Sequence, residues 1–65
     1  MIRIVVVEDE PLARQHLVDL LEELPGTAVV AQAANGREGL AAIVAHRPDA
    51  VFLDIETQGF DLLEA

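Results

Sequence analysis

A chain of 65 residues, 52% of them hydrophobic, is long enough for one small domain with a packed core and too apolar to be disordered. Its net charge of -8, with arginines but no lysine among its 4 basic residues, argues against direct contact with nucleic acid, because a phosphate backbone requires a positive surface. The absence of cysteine excludes disulfides and thiolate metal sites.

The N-terminus predicts neither export nor contact with a membrane. A strand-like run starts directly after Met1, without the basic and long apolar regions of a signal peptide. No segment approaches the roughly 20 consecutive apolar residues that a membrane-spanning helix requires. We expect a cytoplasmic location, with which the absence of cysteine is compatible.

Hydrophobic patterning predicts the first strand and the first helix. Residues Ile2–Val7 are apolar apart from Arg3, as expected for a strand that is covered on both faces of a parallel sheet. Pro11 suits the first position of a helix, and Pro25-Gly26 ends that helix. Apolar side chains recur along it at helical spacing. The predicted buried stripe consists of Ala13, Leu17, Leu20, Leu21 and Leu24.

The remaining elements continue the alternation of strand and helix. Thr27–Ala33 is the second predicted strand, and Ala50–Leu53, after the break at Pro48-Asp49, is the third. Between them lies a helix that we expect Asn35 to cap, with Glu38 three residues later. Its predicted buried residues are Leu40, Ile43 and Val44. Such alternation predicts an α/β fold with a parallel sheet.

Two acidic clusters come directly after the first and third predicted strands, namely Glu8-Asp9-Glu10 and Asp54-Ile55-Glu56. The carboxyl ends of neighbouring parallel strands meet at the edge where open α/β sheets bind ligands. Carboxylates gathered there suit a hard cation such as Mg2+, and Asp9 and Asp54 must then lie within about 10 Å of each other. Glu10 is instead expected to be a helix N-terminal charge.

The chain closely resembles the receiver domain of two-component response regulators in three stretches, VVEDEPLAR at residues 6–14, AANG at 33–36 and RPDAVFLDI at 47–55. The PLAR tetrapeptide is most similar to the LytTR-output subgroup. The resemblance implies a partial flavodoxin-like (receiver) fold, with a three-stranded parallel sheet of order 2-1-3 and flanking helices. Residues 1–65 would be the N-terminal part of that domain, up to the start of its third helix.

The same resemblance implies a function. Asp54 would be the phosphoacceptor that takes a phosphoryl group from a sensor histidine kinase. The Mg2+ ligands would be Glu8, Asp9, Asp54 and the backbone carbonyl of Glu56. The arrival of the phosphoryl group would switch an output, expected to be transcription, in the parent protein. The segment itself is expected to be neither an enzyme nor in direct contact with DNA.

The chain departs from the family pattern after the phosphoacceptor. Thr57-Gln58 replaces the usual Met-Pro, so either Gly59 is the first loop glycine or Gly59–Ala65 is already the next helix; the second alignment is favoured. Family strands four and five, with their hydroxyl residue and lysine, are not represented. We therefore expect impaired phosphorylation of the isolated chain and an exposed apolar edge on the third strand that leads to homodimers.

Two other functional classes compete with this interpretation. Residues Asp54, Glu56, Thr57 and Gly59 also match the D-x-E-T-x-G motif of DEDD-type metal-dependent 3'-5' exonucleases, although that motif normally lies near the start of its domain, on an antiparallel sheet. The other alternative is a non-catalytic dimerisation or interaction fragment whose acidic residues are unused.

Overall fold

The structure, a computed structural model, describes residues 1–54 and has the predicted alternation of elements. Strand β1 (Ile2–Val7) leads to helix α1 (Pro11–Glu22), strand β2 (Thr27–Ala33), helix α2 (Gly36–His46) and strand β3 (Ala50–Leu53). The strands form a parallel sheet of order β2-β1-β3. The predicted strand bounds and strand order are thus confirmed. The predicted start of a third helix lies outside the described residues.

Strand β1 is the centre of the molecule. Its residues Ile4 to Val7 are buried, and Val5, Val6 and Val7 have no exposed surface at all. Their side chains alternate between two core clusters on opposite faces of the sheet. Burial on both faces explains why the strand is an uninterrupted apolar run rather than an alternating one.

Pairing on both sides of β1 brings the strand ends into line. Val7 lies opposite Ala33 of β2 and Leu53 of β3. Hydrogen bonding continues one residue further, because the Glu8 amide donates to the Ala33 carbonyl at 3.0 Å and the Asp54 amide donates to the Val7 carbonyl at 3.2 Å. The first residues of both acidic clusters therefore leave the sheet side by side.

Helix α1 buries a different face from the one predicted. Leu21 is buried and Leu17 packs against the same cluster, but the third contact with the sheet is Val18. Ala13, Leu20 and Leu24 of the predicted stripe are exposed. The prediction was wrong for these residues because the helix contacts only a narrow strip of the small sheet, to which residues 17, 18 and 21 point.

Helix α2 is capped as predicted but is also rotated from its predicted orientation. The Asn35 side chain accepts from the Glu38 amide at 2.9 Å, and the Glu38 side chain accepts from the Ala34 amide at 3.0 Å. Ile43 is half-buried as expected, whereas Leu40 and Val44 are 55% and 76% exposed, so their prediction was wrong. The buried helical residues are Gly36 and Gly39.

The end of α2 is fixed to the beginning of β1 by Arg3. Its guanidinium donates to the His46 carbonyl at 2.6 Å and to the Arg47 carbonyl at 3.3 Å, and its amide donates to the Asp49 carboxylate at 2.8 Å. A cation at the C-terminus of a helix also offsets the helix dipole. Across residues 1–54, neither helix has the length and apolar character needed to cross a membrane.

Candidate metal centre

The candidate site lies where β1 and β3 end. Glu8 and Asp9 belong to the short connection between β1 and α1, and Asp54 comes directly after β3. Because Glu8 and Asp54 extend adjacent strands by one hydrogen bond each, their side chains start from fixed neighbouring positions. Glu8 and Asp54 are half-buried and Asp9 is exposed, so the site is open to solvent on one side.

Three carboxylates converge at this edge. One ligand oxygen from each of Glu8, Asp9 and Asp54 lies within 4.8 Å of the other two. Two oxygens that bind one Mg2+ at about 2.0 to 2.1 Å can be at most about 4.2 Å apart, so oxygens within 4.8 Å of one another need only small side-chain movements to share a cation. Oxygen donors at this spacing suit Mg2+, which binds carboxylates and retains several waters. The residues present therefore fit the expected metal, while their individual roles stay a prediction.

The crowding of acids alters the protonation of Glu8. Its pKa is raised above the ordinary value of 4.5, first because its side chain hydrogen-bonds with Asp9 and further because of partial desolvation and the hydrogen bond and negative charge of Asp54. The backbone amide of Glu10 opposes the shift by stabilising the charged form. A bound cation would remove the reason for the raised pKa, because its positive charge favours the ionised carboxylates.

Glu10 has a separate structural role. It occupies the N-cap of α1, where its side chain accepts from the Leu12 amide at 2.9 Å, and Pro11 takes the first helical position. The prediction of a helix N-terminal charge is confirmed. Of the three consecutive acidic residues, Glu8 and Asp9 thus belong to the candidate site, whereas Glu10 caps helix α1.

Arg14, which was not among the predicted site residues, also contacts the acidic loop. From the first turn of α1, its guanidinium donates to the Glu8 carbonyl at 2.9 Å. The signal was present in the sequence, since a cation close to a helix N-terminus opposes the helix dipole and needs a compensating partner. The predicted ligand Glu56, together with the Thr57 to Gly59 loop, lies outside the described residues.

Comparison with known proteins identifies the fold family. The family model described as "Response regulator receiver domain" matches residues 4–65. A solved structure of the signal receiver domain of the putative response regulator NarL from Mycobacterium tuberculosis superposes with a TM-score of 0.87 at 38% identity, covering 92% of this chain and 48% of that one. This similarity confirms the expected flavodoxin-like, partial receiver fold.

Curated relatives of more than one kind share this segment. A protein-glutamate methylesterase/protein-glutamine glutaminase of Oleidesulfovibrio alaskensis is 51% identical over 65 residues, covering 100% of this chain and 18% of the relative. The transcriptional regulatory protein BtsR of Escherichia coli is 41% identical over 64 residues, covering 98% of this chain and 27% of the relative. The chain therefore spans only a small part of either relative.

Proposed function

Because this chain belongs to the response regulator receiver domain family, we propose that it is the phosphate-accepting segment of a two-component response regulator, with Asp54 as the phosphoacceptor. The observation that carries the proposal is the position of Asp54, at the end of β3 with ligand oxygens of Glu8 and Asp9 within 4.8 Å. The parallel sheet and the family match give no support to the exonuclease alternative.

In the proposed reaction, a carboxylate oxygen of Asp54 attacks the phosphorus of a phosphohistidine on the sensor kinase. A P–O bond to Asp54 forms, the P–N bond breaks, and its electron pair returns to the imidazole nitrogen, which leaves an acyl phosphate. The carboxylate is accessible for this attack because it lies just beyond the last residue of β3 and is only half-buried. Glu8 and Asp9 on their own would repel the incoming phosphoryl group.

We propose Mg2+ as the cofactor, held by the carboxylates of Glu8, Asp9 and Asp54 and by the backbone carbonyl of Glu56. When bound, it would neutralise negative charge on the acids and on the phosphoryl oxygens. The chain's own contribution is to hold three oxygen donors close together at one end of a rigid sheet. The family's lysine has no counterpart among the 65 residues, which include no lysine, so we expect the chain alone to accept phosphate poorly.

The proposed output is transcription, through a LytTR-type parent protein in the cytoplasm. The Pro11-Leu12-Ala13-Arg14 tetrapeptide and the 41% identity with a transcriptional regulatory protein support this proposal. The 51% identity with a methylesterase favours an enzymatic output instead, although this segment covers only 18% of that relative. In either case we propose that the segment itself is a regulatory module and not an enzyme, and that it makes no direct contact with DNA.

A second proposed property is self-association of the isolated chain through β3. Val51 and Phe52 lie on opposite faces of the sheet and are 38% and 39% exposed. Within residues 1–54, β3 pairs with β1 alone, so its other edge presents backbone groups that a second strand could pair with. A partner at this edge must supply a strand that pairs with β3 and must cover Val51 and Phe52 on the two faces of the sheet. A second copy of this chain meets both requirements.

The phosphoacceptor proposal is tested by labelling with a phosphorylated histidine kinase. The parent protein should form an acid-stable, hydroxylamine-sensitive acyl phosphate, and Asp54→Ala should abolish it. Asp19→Ala is the matched control, because Asp19 is an exposed carboxylate on α1 whose contact is with Gln15. Label that persists at wild-type level in Asp54→Ala would assign the phosphoryl group to another residue.

The cofactor proposal is tested on the chain itself by two-dimensional NMR. Titration with Mg2+ should shift the amide signals of Glu8, Asp9 and Asp54 before those of other residues, and beryllofluoride should bind only when Mg2+ is present. Uniform small shifts across the acidic surface would indicate nonspecific screening and contradict a metal site at this edge.

A further inference from the structure

We infer that Arg14 is a positioning residue for the metal site, which holds the acidic loop in the geometry that Mg2+ requires. The inference rests on the proposed function, since it concerns the affinity of the same site. Its evidence is the hydrogen bond from the Arg14 guanidinium to the backbone carbonyl of Glu8 in that loop.

The peptide groups around Glu8 are held from two directions. The Glu8 amide donates to the Ala33 carbonyl of β2 at 3.0 Å, and the Glu8 carbonyl accepts from the Arg14 guanidinium at 2.9 Å. The first bond extends the sheet, and the second joins the loop to α1. The carbonyl of Glu8 belongs to the peptide that leads into Asp9, so both candidate ligands are attached to a backbone unit that Arg14 holds.

An arginine suits this task better than a shorter or neutral side chain. Arg14 is half-buried, and its amide also makes an early helical bond to the Glu10 carbonyl at 2.8 Å. Its backbone is therefore fixed, while the guanidinium reaches back over the loop to Glu8. A positive charge in this position also reduces the repulsion among the neighbouring acids. Two other arginines, Arg37 and Arg47, are exposed.

Small displacements of the acidic loop should weaken Mg2+ binding, because this ion tolerates little variation in ligand position. Mg2+ demands nearly octahedral geometry with ligand distances of about 2.0 to 2.1 Å, so ligand positions must be set accurately before binding. Loss of an outer partner that orients metal ligands typically lowers metal affinity by about 10- to 100-fold. We expect the lower end of that range for Arg14, because the Glu8 amide bond to β2 remains.

The test is the affinity for Mg2+ alone, measured by NMR titration of the 65-residue chain and its variants. Arg14→Met should raise the dissociation constant about tenfold, and Arg14→Lys should restore part of the loss because it keeps the charge and a donor. Arg47→Met removes the same charge at the opposite end of the sheet and should stay within about twofold of wild type. Val18→Ala destabilises the core without touching the site and should also leave the affinity unchanged.

A second readout is the carbonyl carbon signal of Glu8, which reports the hydrogen bond from Arg14. It should move in Arg14→Met even without metal. An unchanged carbonyl signal, or an Mg2+ affinity of Arg14→Met within about twofold of wild type, would overturn the inference. Equal losses in Arg14→Met and Val18→Ala would also overturn it, as a general effect of stability. If wild type does not bind Mg2+ but the carbonyl signal moves, the proposed metal site fails and Arg14 is an anchor of the loop only.

Discussion

Three consecutive acidic residues acquire different properties once β1 and α1 fix the ends of their loop. Glu8 shares its surroundings with Asp9 and Asp54, which raises its pKa, whereas Glu10 turns away to cap the helix. Composition alone treats all three as equivalent negative charges. Their difference arises from which backbone donors and which neighbouring carboxylates each side chain meets.

The raised pKa of Glu8 makes a pH-dependent contribution to stability. At pH values just above 4.5, the ordinary pKa of a glutamate, the folded chain holds a proton on Glu8 more readily than the unfolded chain does. This contribution to stability is therefore complete below that value and is lost as pH rises through the folded-state pKa. In metal-free solution, the free energy of unfolding of wild type relative to Glu8→Gln should therefore fall as the pH rises from 4.5 through the folded-state pKa of Glu8.

Urea unfolding followed by circular dichroism at a series of pH values measures this difference. Glu22→Gln is a suitable control, because Glu22 is exposed at the end of α1 away from the acidic site. A wild-type to Glu8→Gln difference that is independent of pH would contradict the assignment. Because Glu8 is accessible to solvent, only the direction of the change is predicted.

Arg47 has a left-handed backbone conformation, which is unfavourable for a residue with a β-carbon. It caps α2 in the left-handed region with a φ of 47°, a conformation in which a β-carbon is strained. Arg47→Gly should raise the free energy of unfolding by about 0.5 to 1 kcal/mol, because glycine adopts this region without strain. Arg47→Ala keeps the β-carbon and should bring no gain. Equal stability of both variants, measured by thermal unfolding, would show that strain at this position is negligible.

At the scale of elements, both helices have the predicted positions but are rotated about their axes. A helix on a small three-stranded sheet covers little surface, so only one or two turns of side chains reach the core. In α1 this face contains Val18, and the predicted Leu20 lies 49% exposed. In α2, Gly36 and Gly39 are buried while Leu40 and Val44 face outward.

This rotation predicts opposite sensitivities for two neighbouring residues of α1. Val18→Ala removes two buried methyl groups and should lower the free energy of unfolding by about 1.5 to 2.5 kcal/mol. Leu20→Ala removes more atoms, but from a half-exposed side chain, and should cost less than about 1 kcal/mol. Urea unfolding of the two variants compares them directly. A larger loss for Leu20→Ala would favour the face predicted from the sequence.

In the molecule as a whole, the three strands of the sheet are unequally covered. The two described helices and β2 cover β1 well, while β3 forms the opposite edge with Val51 and Phe52 partly exposed. This distribution underlies the proposed self-association, because a chain of 65 residues has a small core and gains stability by burying more apolar surface.

Sedimentation equilibrium tests the association. The wild-type chain should form dimers as its concentration rises, with a melting temperature that increases in parallel. Val51→Lys places a charge on the β3 edge and should shift the population to monomer. Leu12→Lys is the matched control, since Leu12 is an 81% exposed apolar residue on α1. A folded wild-type monomer with a concentration-independent melt would contradict the proposal, and circular dichroism confirms that each variant is folded.

The local pattern of the sequence was sufficient to predict the elements and the sheet. The apolar run of β1, the proline at the start of α1 and the Asn35 cap are all local signals, and the structure confirms each of them. The position of the acids after two strands was sufficient to predict that Asp9 and Asp54 would meet, because parallel strands end at the same edge of a sheet.

Only the tertiary structure decided which surfaces touch. The rotation of each helix depends on the width and twist of the sheet beneath it, which no helical periodicity contains. Likewise, the hydrogen bond from Arg14 to the Glu8 carbonyl joins a side chain to a backbone carbonyl, a group that every residue of a sequence carries. Sequence patterns determine where elements begin and end because those signals are local, whereas packing and the alignment of polar groups depend on distances that exist only after the chain has folded.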